Sequence, residues 1–290
     1  MTTRISRREM LAGTAAAGFC LSPMVRSLLA AEEKHVFKIG ACDWSLGRHQ
    51  NPEALDVAKE IGLDGVEVSF DGGDQFDLRD QQVRSLYRKK AEQSGLEIPS
   101  LAMGVLNRVP YATEPQTEQW VEDCVEVMAA MGVKAVLLAF FGKGNLKGRQ
   151  DLQDEVIRRL KKVAPKAEKA GVILGVESTL DVDEHLRILD GVGSPAVQVY
   201  YDVANMTNGG YDVPAEIRRL GAQRICQIHM KENGCLLGKG KVDFPKIKEA
   251  VDEIGYRGWF ILEGATEKGR TLEDCYVENR KFLDEMFSGG

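Results

Sequence analysis

Four ionisable residues, each at the end of a mostly apolar run, are the strongest candidates for chemistry in this sequence. The residues are Glu177, Asp202, His229 and Glu263, and the runs before them are 173–176, 199–201, 225–228 and 259–262. An isolated buried charge is costly, so charges placed in this way need a cation or one another as partners. Three carboxylates and one imidazole suit a single divalent ion, and Mn, Mg, Co or Zn would each fit a partly open site of this kind.

The elements that position these residues are marked by repeated helix stops. Gly62, Gly95, Gly132, Gly171 and Gly255 each follow a segment of helical periodicity and precede a short apolar run. Glycine takes the left-handed conformation that ends a helix, and buried parallel strands read as short apolar runs. The pattern predicts eight strands, at about 36–42, 65–70, 97–103, 134–140, 172–177, 197–202, 225–230 and 259–263.

Strands that alternate with helices predict right-handed βαβ units and a parallel sheet. Eight such units over residues 35–287 match the size of a single (β/α)8 TIM barrel, which is an α/β fold. An open doubly wound sheet is the alternative, but no G-x-G-x-x-G motif follows the first strand. Active sites of such barrels lie at the C-terminal ends of the strands, so the four candidates are expected to meet there, at the ends of strands five to eight.

Residues 1–31 have the features of an export signal. Arg7 and Arg8 give a basic start, residues 12–24 are mildly apolar, and Ala30 and Ala31 supply the small residues of a cleavage site. We predict a twin-arginine signal peptide over 1–31 and a periplasmic or secreted mature protein. The apolar run is too short to span a bilayer, so no stable membrane span is expected after the signal is removed.

Charge and cysteine usage exclude several classes of partner. A formal net charge of −6 disfavours nucleic acid, because binding to it depends on Lys and Arg neutralising phosphates. The six cysteines are irregularly spaced, which predicts mostly buried thiols rather than a zinc finger or a disulfide scaffold. The expected partner is a small molecule, and assembly into a homo-oligomer stays open.

Local segments around the candidates resemble the xylose isomerase-like TIM barrel superfamily, which contains sugar-phosphate isomerases and epimerases. The order Glu, Asp, His, Glu over strands five to eight is similar to its ligand set, and residues 228–232 resemble its H-x-K-[DE] segment. Residues 238–244 resemble its G-x-G-x-[VI]-D-[FW] loop. The Asp202-x-x-Asn205 pattern is similar to the pentulose-phosphate 3-epimerase branch, whereas other ketose 3-epimerases carry a substrate-binding His where Asn205 stands.

The resemblance implies an isomerase or epimerase that acts on a keto sugar. Such an enzyme moves a proton on the carbon next to a carbonyl, through a metal-stabilised ene-diolate. The resemblance assigns acid–base and metal-binding roles to Glu177 and Glu263, and ligation alone to Asp202 and His229. Further residues at the same rim are candidates for substrate contact: Glu67, Lys231, Asn205, Trp44, Asn107 and Arg108. His49 and His185 are expected to be solvated.

Other functions are compatible with the same residues. A metal-dependent lyase or dehydratase acting on a keto-sugar or inositol-like substrate would use the same ion and the same proton abstraction. A sugar-binding barrel without turnover is a second alternative, although both glutamates of the acid–base pair are present. The substrate is either free or phosphorylated: the branch resembled acts on sugar phosphates, whereas an exported enzyme meets mainly free sugars.

Overall fold

The computed structural model describes residues 37–73 and 75–287. These residues form a closed barrel of eight parallel strands in chain order. The strands are β1 Ile39–Cys42, β2 Gly65–Ser69, β3 Ser100–Met103, β4 Ala135–Phe140, β5 Ile173–Ser178, β6 Val197–Asp202, β7 Ile225–Glu232 and β8 Phe260–Gly264. Pairing of β8 with β1 closes the barrel and excludes the open sheet. The predicted TIM barrel is confirmed, and every predicted strand is present at its place.

Helices connect the strands and cover the outside of the barrel. In chain order they are α1 Ala54–Ile61, α2 Gln81–Ser94, α3 Gln116–Met131, α4 Gln150–Ala170, α5 Val182–Val192, α6 Val203–Asn208, α7 Val213–Leu220, α8 Phe244–Glu253 and α9 Leu272–Phe287. Gly62 ends α1 with φ 84° and Gly171 ends α4 with φ 66°, so these predicted helix stops are confirmed. Both are left-handed conformations that a residue with a Cβ rarely adopts.

The alternation of side chains along each strand separates two cores. Residues that face outward join a large cluster between strands and helices, to which Ile228 and Met230 of β7 belong. Residues that face inward form a small cluster inside the barrel, which includes Cys42 and Tyr200. Successive side chains of a strand point to opposite faces. His229, between Ile228 and Met230, therefore points into the barrel, where it is fully buried.

The predicted signal peptide over 1–31 lies outside the described residues, and export stays a prediction. Within the described part of the chain, no helix is long and apolar enough to cross a membrane. The cysteines from Cys42 onward are free, and three of them, Cys42, Cys124 and Cys275, are buried.

Candidate active site

The barrel brings the four candidate residues together at the C-terminal end of its strands. Strand register places Asp202 of β6 directly beside His229 of β7. His229 Nδ1 lies 3.2 Å from Glu177 Oε1, 3.2 Å from Glu263 Oε2 and 3.8 Å from Asp202 Oδ2. The four ligand atoms of this group lie within 4.8 Å of one another. Three acceptor oxygens and a ring nitrogen at this spacing form a set of hard donors that a divalent cation fits.

An unpartnered oxygen of Asp202 supports this fit. Asp202 Oδ1 accepts hydrogen bonds from the backbone N–H groups of Ala204 at 2.8 Å and Asn205 at 2.7 Å, at the start of α6. Its other oxygen, Oδ2, is buried and accepts no hydrogen bond, although Lys231 Nζ lies 3.4 Å away. A buried carboxylate oxygen without a donor is costly, and a cation held among the four side chains removes that cost.

The second ring nitrogen of His229, Nε2, contacts Glu67. His229 Nε2 lies 3.1 Å from Glu67 Oε1, and both side chains are fully buried. Glu67 Oε2 accepts a hydrogen bond from Ser100 Oγ at 2.6 Å and is also contacted by the Tyr200 hydroxyl. With a cation bound, Glu67 as acceptor would keep the proton on Nε2 and leave the lone pair of Nδ1 for ligation; in the metal-free chain Nδ1 instead faces the carboxylates as a donor. Glu67 therefore positions His229 and does not reach the cavity, so its predicted sugar contact is not found here.

The two glutamates of the site differ in their electrostatic surroundings. Burial raises the pKa of Glu177 to about 7, against the hydrogen bond from His229, which lowers it. Burial also raises the pKa of Glu263, but His229 and Lys231 outweigh burial and bring the pKa below its usual range. Lys231 Nζ lies 2.8 Å from Glu263 Oε2, and Trp44 Nε1 donates to Glu263 Oε1 at 3.2 Å. One carboxylate is thus held as an anion while the other titrates near neutral pH in the metal-free chain.

A cavity of about 430 Å³ opens above this group. Both glutamates line it, together with four of the predicted substrate-contact residues: Trp44, Asn107, Asn205 and Lys231. Arg108 is exposed and is not among the lining residues, so the structure does not bring it to the site. Asn107 also has a structural role, because its Oδ1 accepts from Phe141 N at 2.8 Å and thereby fixes the loop after β4.

Eight lining residues were not predicted as part of the site, and His49, Asp71 and Phe141 are the largest of them or carry charge. His49 Nε2 lies 2.9 Å from Asp71 Oδ2, and the His49 side chain is half exposed. The expectation that His185 is solvated is wrong: it is buried, and its Nε2 lies 2.9 Å from Ser178 Oγ. A sequence signal for this burial existed, since His185 falls on the apolar stripe of α5.

Comparison with known proteins identifies the family of this chain. A family model described as xylose isomerase-like TIM barrel matches residues 55–286. The chain belongs to this family. UlaE of Escherichia coli O157:H7, an L-ribulose-5-phosphate 3-epimerase, is 26% identical over 257 residues, which are 80% of this chain and 87% of UlaE.

Two solved structures of epimerases share the fold. An L-ribulose 3-epimerase matches with a TM-score of 0.73 at 19% identity, over 88% of this chain and 95% of the other. A D-allulose 3-epimerase from Methylomonas sp., solved in complex with D-allulose, matches with a TM-score of 0.72 at 17% identity, over 87% and 97%. The prediction of an enzyme among the carbohydrate isomerases and epimerases is confirmed at the level of this class.

Proposed function

We propose that this chain is a metal-dependent epimerase of keto sugars that inverts a carbon next to the carbonyl. The observation that carries the proposal is the placement of two carboxylates, Glu177 and Glu263, each 3.2 Å from His229 Nδ1. Both line the cavity and come from β5 and β8, which lie three strands apart around the barrel. Two acid–base groups that reach one cation site from different strands can serve the two faces of a carbon, as inversion requires.

Glu177, Asp202, His229 and Glu263 would hold the cation. When bound, a divalent ion polarises the substrate carbonyl and the neighbouring hydroxyl and stabilises the negative charge that develops on them. The protein supplies the remaining chemistry. Asp202 and His229 do not line the cavity, so they are suited to ligation rather than to contact with the sugar.

Proton transfer falls to the two glutamates. Glu263 stays ionised near neutral pH, because His229 and Lys231 keep its pKa low, so it is suited to remove the proton from the carbon. Glu177 lines the cavity from β5, three strands away from β8, and is placed to return a proton to the opposite face. In the reverse reaction the two residues exchange tasks.

The test is an exchange assay with the purified full chain, Mn²⁺ and a panel of ketoses in deuterated water. We expect deuterium on the carbon next to the carbonyl, together with the inverted ketose as product. Glu177→Gln and Glu263→Gln are each expected to lower the exchange rate about 100-fold or more, as removal of a general acid or base does. Glu267→Gln, an exposed glutamate in the loop after β8, is the matched control and should leave the rate unchanged.

The products separate epimerisation from the other reactions of this chemistry. An aldose product would show isomerisation, and loss of water or chain cleavage would show a dehydratase or lyase. Binding of sugars without exchange would contradict the proposal and support a binding barrel. The Mn²⁺ content of each variant, measured in parallel, distinguishes lost ligation from lost proton transfer.

A further inference from the structure

We infer that the site takes a keto sugar without a phosphate group, and that Asp71 is the residue that selects it. The inference rests on the proposed function, since it names the substrate class of the same cavity. Asp71 lies two residues beyond the end of β2, and β2 stands opposite β6, which carries Asp202, in the ring of eight strands. Asp71 therefore forms part of the wall that faces the cation site.

The carboxylate of Asp71 is held firmly in this wall. Its Oδ1 accepts a hydrogen bond from Val105 N at 2.6 Å, and His49 Nε2 lies 2.9 Å from its Oδ2. The wall also depends on Gly104, because a Cβ at that position would lie 3.3 Å from Asp71 Oδ2. An anchored carboxylate oxygen that lines a sugar-sized cavity is well placed to accept a hydrogen bond from a sugar hydroxyl. The same oxygen repels a phosphate.

The charged side chains that line the cavity leave no basic group free to bind a phosphate. Asp71, Glu177 and Glu263 supply three acidic groups among the lining residues. The basic lining residues in the described part of the chain are Lys231 and His49, and each already contacts one of these acids. Proteins bind phosphate through Arg or Lys side chains and through free backbone N–H groups. Neither basic side chain is left without an acidic partner.

Four backbone N–H groups near the cavity are also occupied. Val105 N and Phe141 N donate to Asp71 and Asn107, which are themselves lining residues. In TIM barrels a phosphate site is frequently formed by the loops after the last strands. Here Gly264 N donates to Ser45 Oγ at 3.2 Å and Ala265 N donates to Glu232 O at 3.1 Å. These groups hold the loop after β8 together instead of facing a ligand.

The remaining surface of the cavity suits the body of a neutral sugar. Asn107 and Asn205 offer amide groups for hydroxyls, and the rings of Trp44 and Phe141 offer apolar faces for C–H groups. Sugar-binding sites combine aromatic faces with a few placed polar groups in this way. UlaE, by contrast, is named for a phosphorylated pentulose.

The experiment compares matched pairs in the exchange assay: L-ribulose, D-ribulose and D-xylulose, each beside its 5-phosphate. For the wild-type chain we expect kcat/KM to be about 100-fold higher for the free sugar of the preferred pair, the scale of a like-charge conflict. Asp71→Asn should raise KM for the free sugar about tenfold. It should also reduce the ratio between the kcat/KM values of the free sugar and its phosphate. Asp77→Asn, in the same loop but not among the lining residues, removes the same charge and should leave the ratio unchanged.

Titration calorimetry with the same pairs, and with inorganic phosphate, gives a readout without turnover. We expect heat from a free sugar and none from millimolar phosphate. A wild-type preference for the phosphate ester, in exchange or in binding, would overturn the inference while the proposed epimerase stands. If no pair exchanges, the proposed function fails, and the calorimetric preference alone decides whether the cavity selects neutral sugars. A ratio unchanged in Asp71→Asn would remove Asp71 as the selecting residue.

Discussion

His229 Nε2 and Glu67 Oε1 lie 3.1 Å apart across the interior of the barrel, and neither side chain is exposed. The two residues come from β7 and β2, which lie three strands apart and do not pair with each other. Glu67 thus fixes the imidazole ring of His229, a candidate metal ligand, from a strand on another side of the barrel. Histidines that bind metals commonly donate their second N–H to a carboxylate, and this contact sets the orientation and basicity of the ring.

Replacement of Glu67 should weaken metal binding without any change in the ligand set. We expect Glu67→Ala to lower Mn²⁺ affinity about 10- to 100-fold, the usual effect of losing such an outer partner. Glu67→Gln keeps an acceptor oxygen and should have a smaller effect. Calorimetric titration of each purified variant measures the change, with Glu97→Gln, outside the site and exposed, as control. Wild-type affinity in a folded Glu67→Ala would show that Glu67 does not position His229.

Metal affinity should increase with pH. Burial raises the pKa of Glu177 to about 7 and that of Asp202 to about 6 in the metal-free chain. Each protonated carboxylate must lose its proton before it binds a cation, so binding releases protons below these pKa values. We expect the Kd for Mn²⁺ to fall as pH rises from about 5.5 to 7 and to go on falling above 7, because the pKa of His229 also lies well above its usual value in the metal-free chain, against the effect of burial, and this ligand must lose a proton as well.

Calorimetry at one acidic pH, in buffers with different ionisation enthalpies, counts the released protons directly. Glu177→Gln removes one of the titrating groups and should release fewer protons per bound ion than the wild type. An affinity that does not depend on pH over this range would show that both carboxylates are already ionised and His229 already neutral in the metal-free protein.

Lys231 should set the pH dependence of catalysis. It lies 2.8 Å from Glu263 Oε2 and 3.4 Å from Asp202 Oδ2, and its charge lowers the pKa of both carboxylates. Lys231→Met removes the charge and keeps the length of the side chain. The acidic limb of the exchange rate should then move to higher pH, with a loss of about tenfold at pH 6 and less at pH 8.

Lys239→Met, an exposed lysine in the loop after β7, is the control for Lys231→Met and should keep the wild-type profile. If Lys231→Met lowers the rate equally at every pH, Lys231 acts by touching the substrate rather than by tuning Glu263. Such a result would leave the metal group intact and change only the role of this residue.

The barrel and the four central residues could be predicted because their signals are local and topological. Helix stops such as Gly62 and Gly171 mark each repeat, and parallel strands bring their C-terminal ends together whatever the details of the loops. Asp202 and His229 end up adjacent because the register of β6 and β7 aligns them. Neither step needs knowledge of side-chain conformations.

Some features depend on how deeply a side chain lies in the barrel or on the conformation of a loop, and these could not be predicted in the same way. Alternation places Glu67 inside the barrel but does not say that it lies beneath His229 rather than in the cavity. Asp71 and His49 meet because two loops fold toward each other, with Val105 N as an anchor that no short motif reveals. Loops on a fixed scaffold commonly determine specificity. The loop residues that line the cavity are therefore the part of the site that the sequence predicts least well.

His185 should make stability fall in mild acid. Burial lowers the pKa of His185 from 6.5 to about 4, and its Nδ1 has no hydrogen-bond partner. Between these two values the unfolded chain binds a proton that the folded chain does not, so folding stability decreases as pH falls through this window. The slope from one group is at most about 1.4 kcal/mol per pH unit, or about 3 kcal/mol over the window.

Urea denaturation in the presence of EDTA, at several pH values from about 4 to 7, measures this contribution by comparison with His185→Gln. Comparison with a variant is necessary because Glu177 acts with the opposite sign: its raised pKa makes stability fall as pH rises from 4.5 to about 7. The difference between wild type and His185→Gln cancels that term. Ser178→Ala removes the partner of His185 Nε2 but keeps the buried ring, so it should be less stable and still show the wild-type slope. An unchanged slope in His185→Gln would mean that the folded chain protonates His185 as readily as the unfolded chain does.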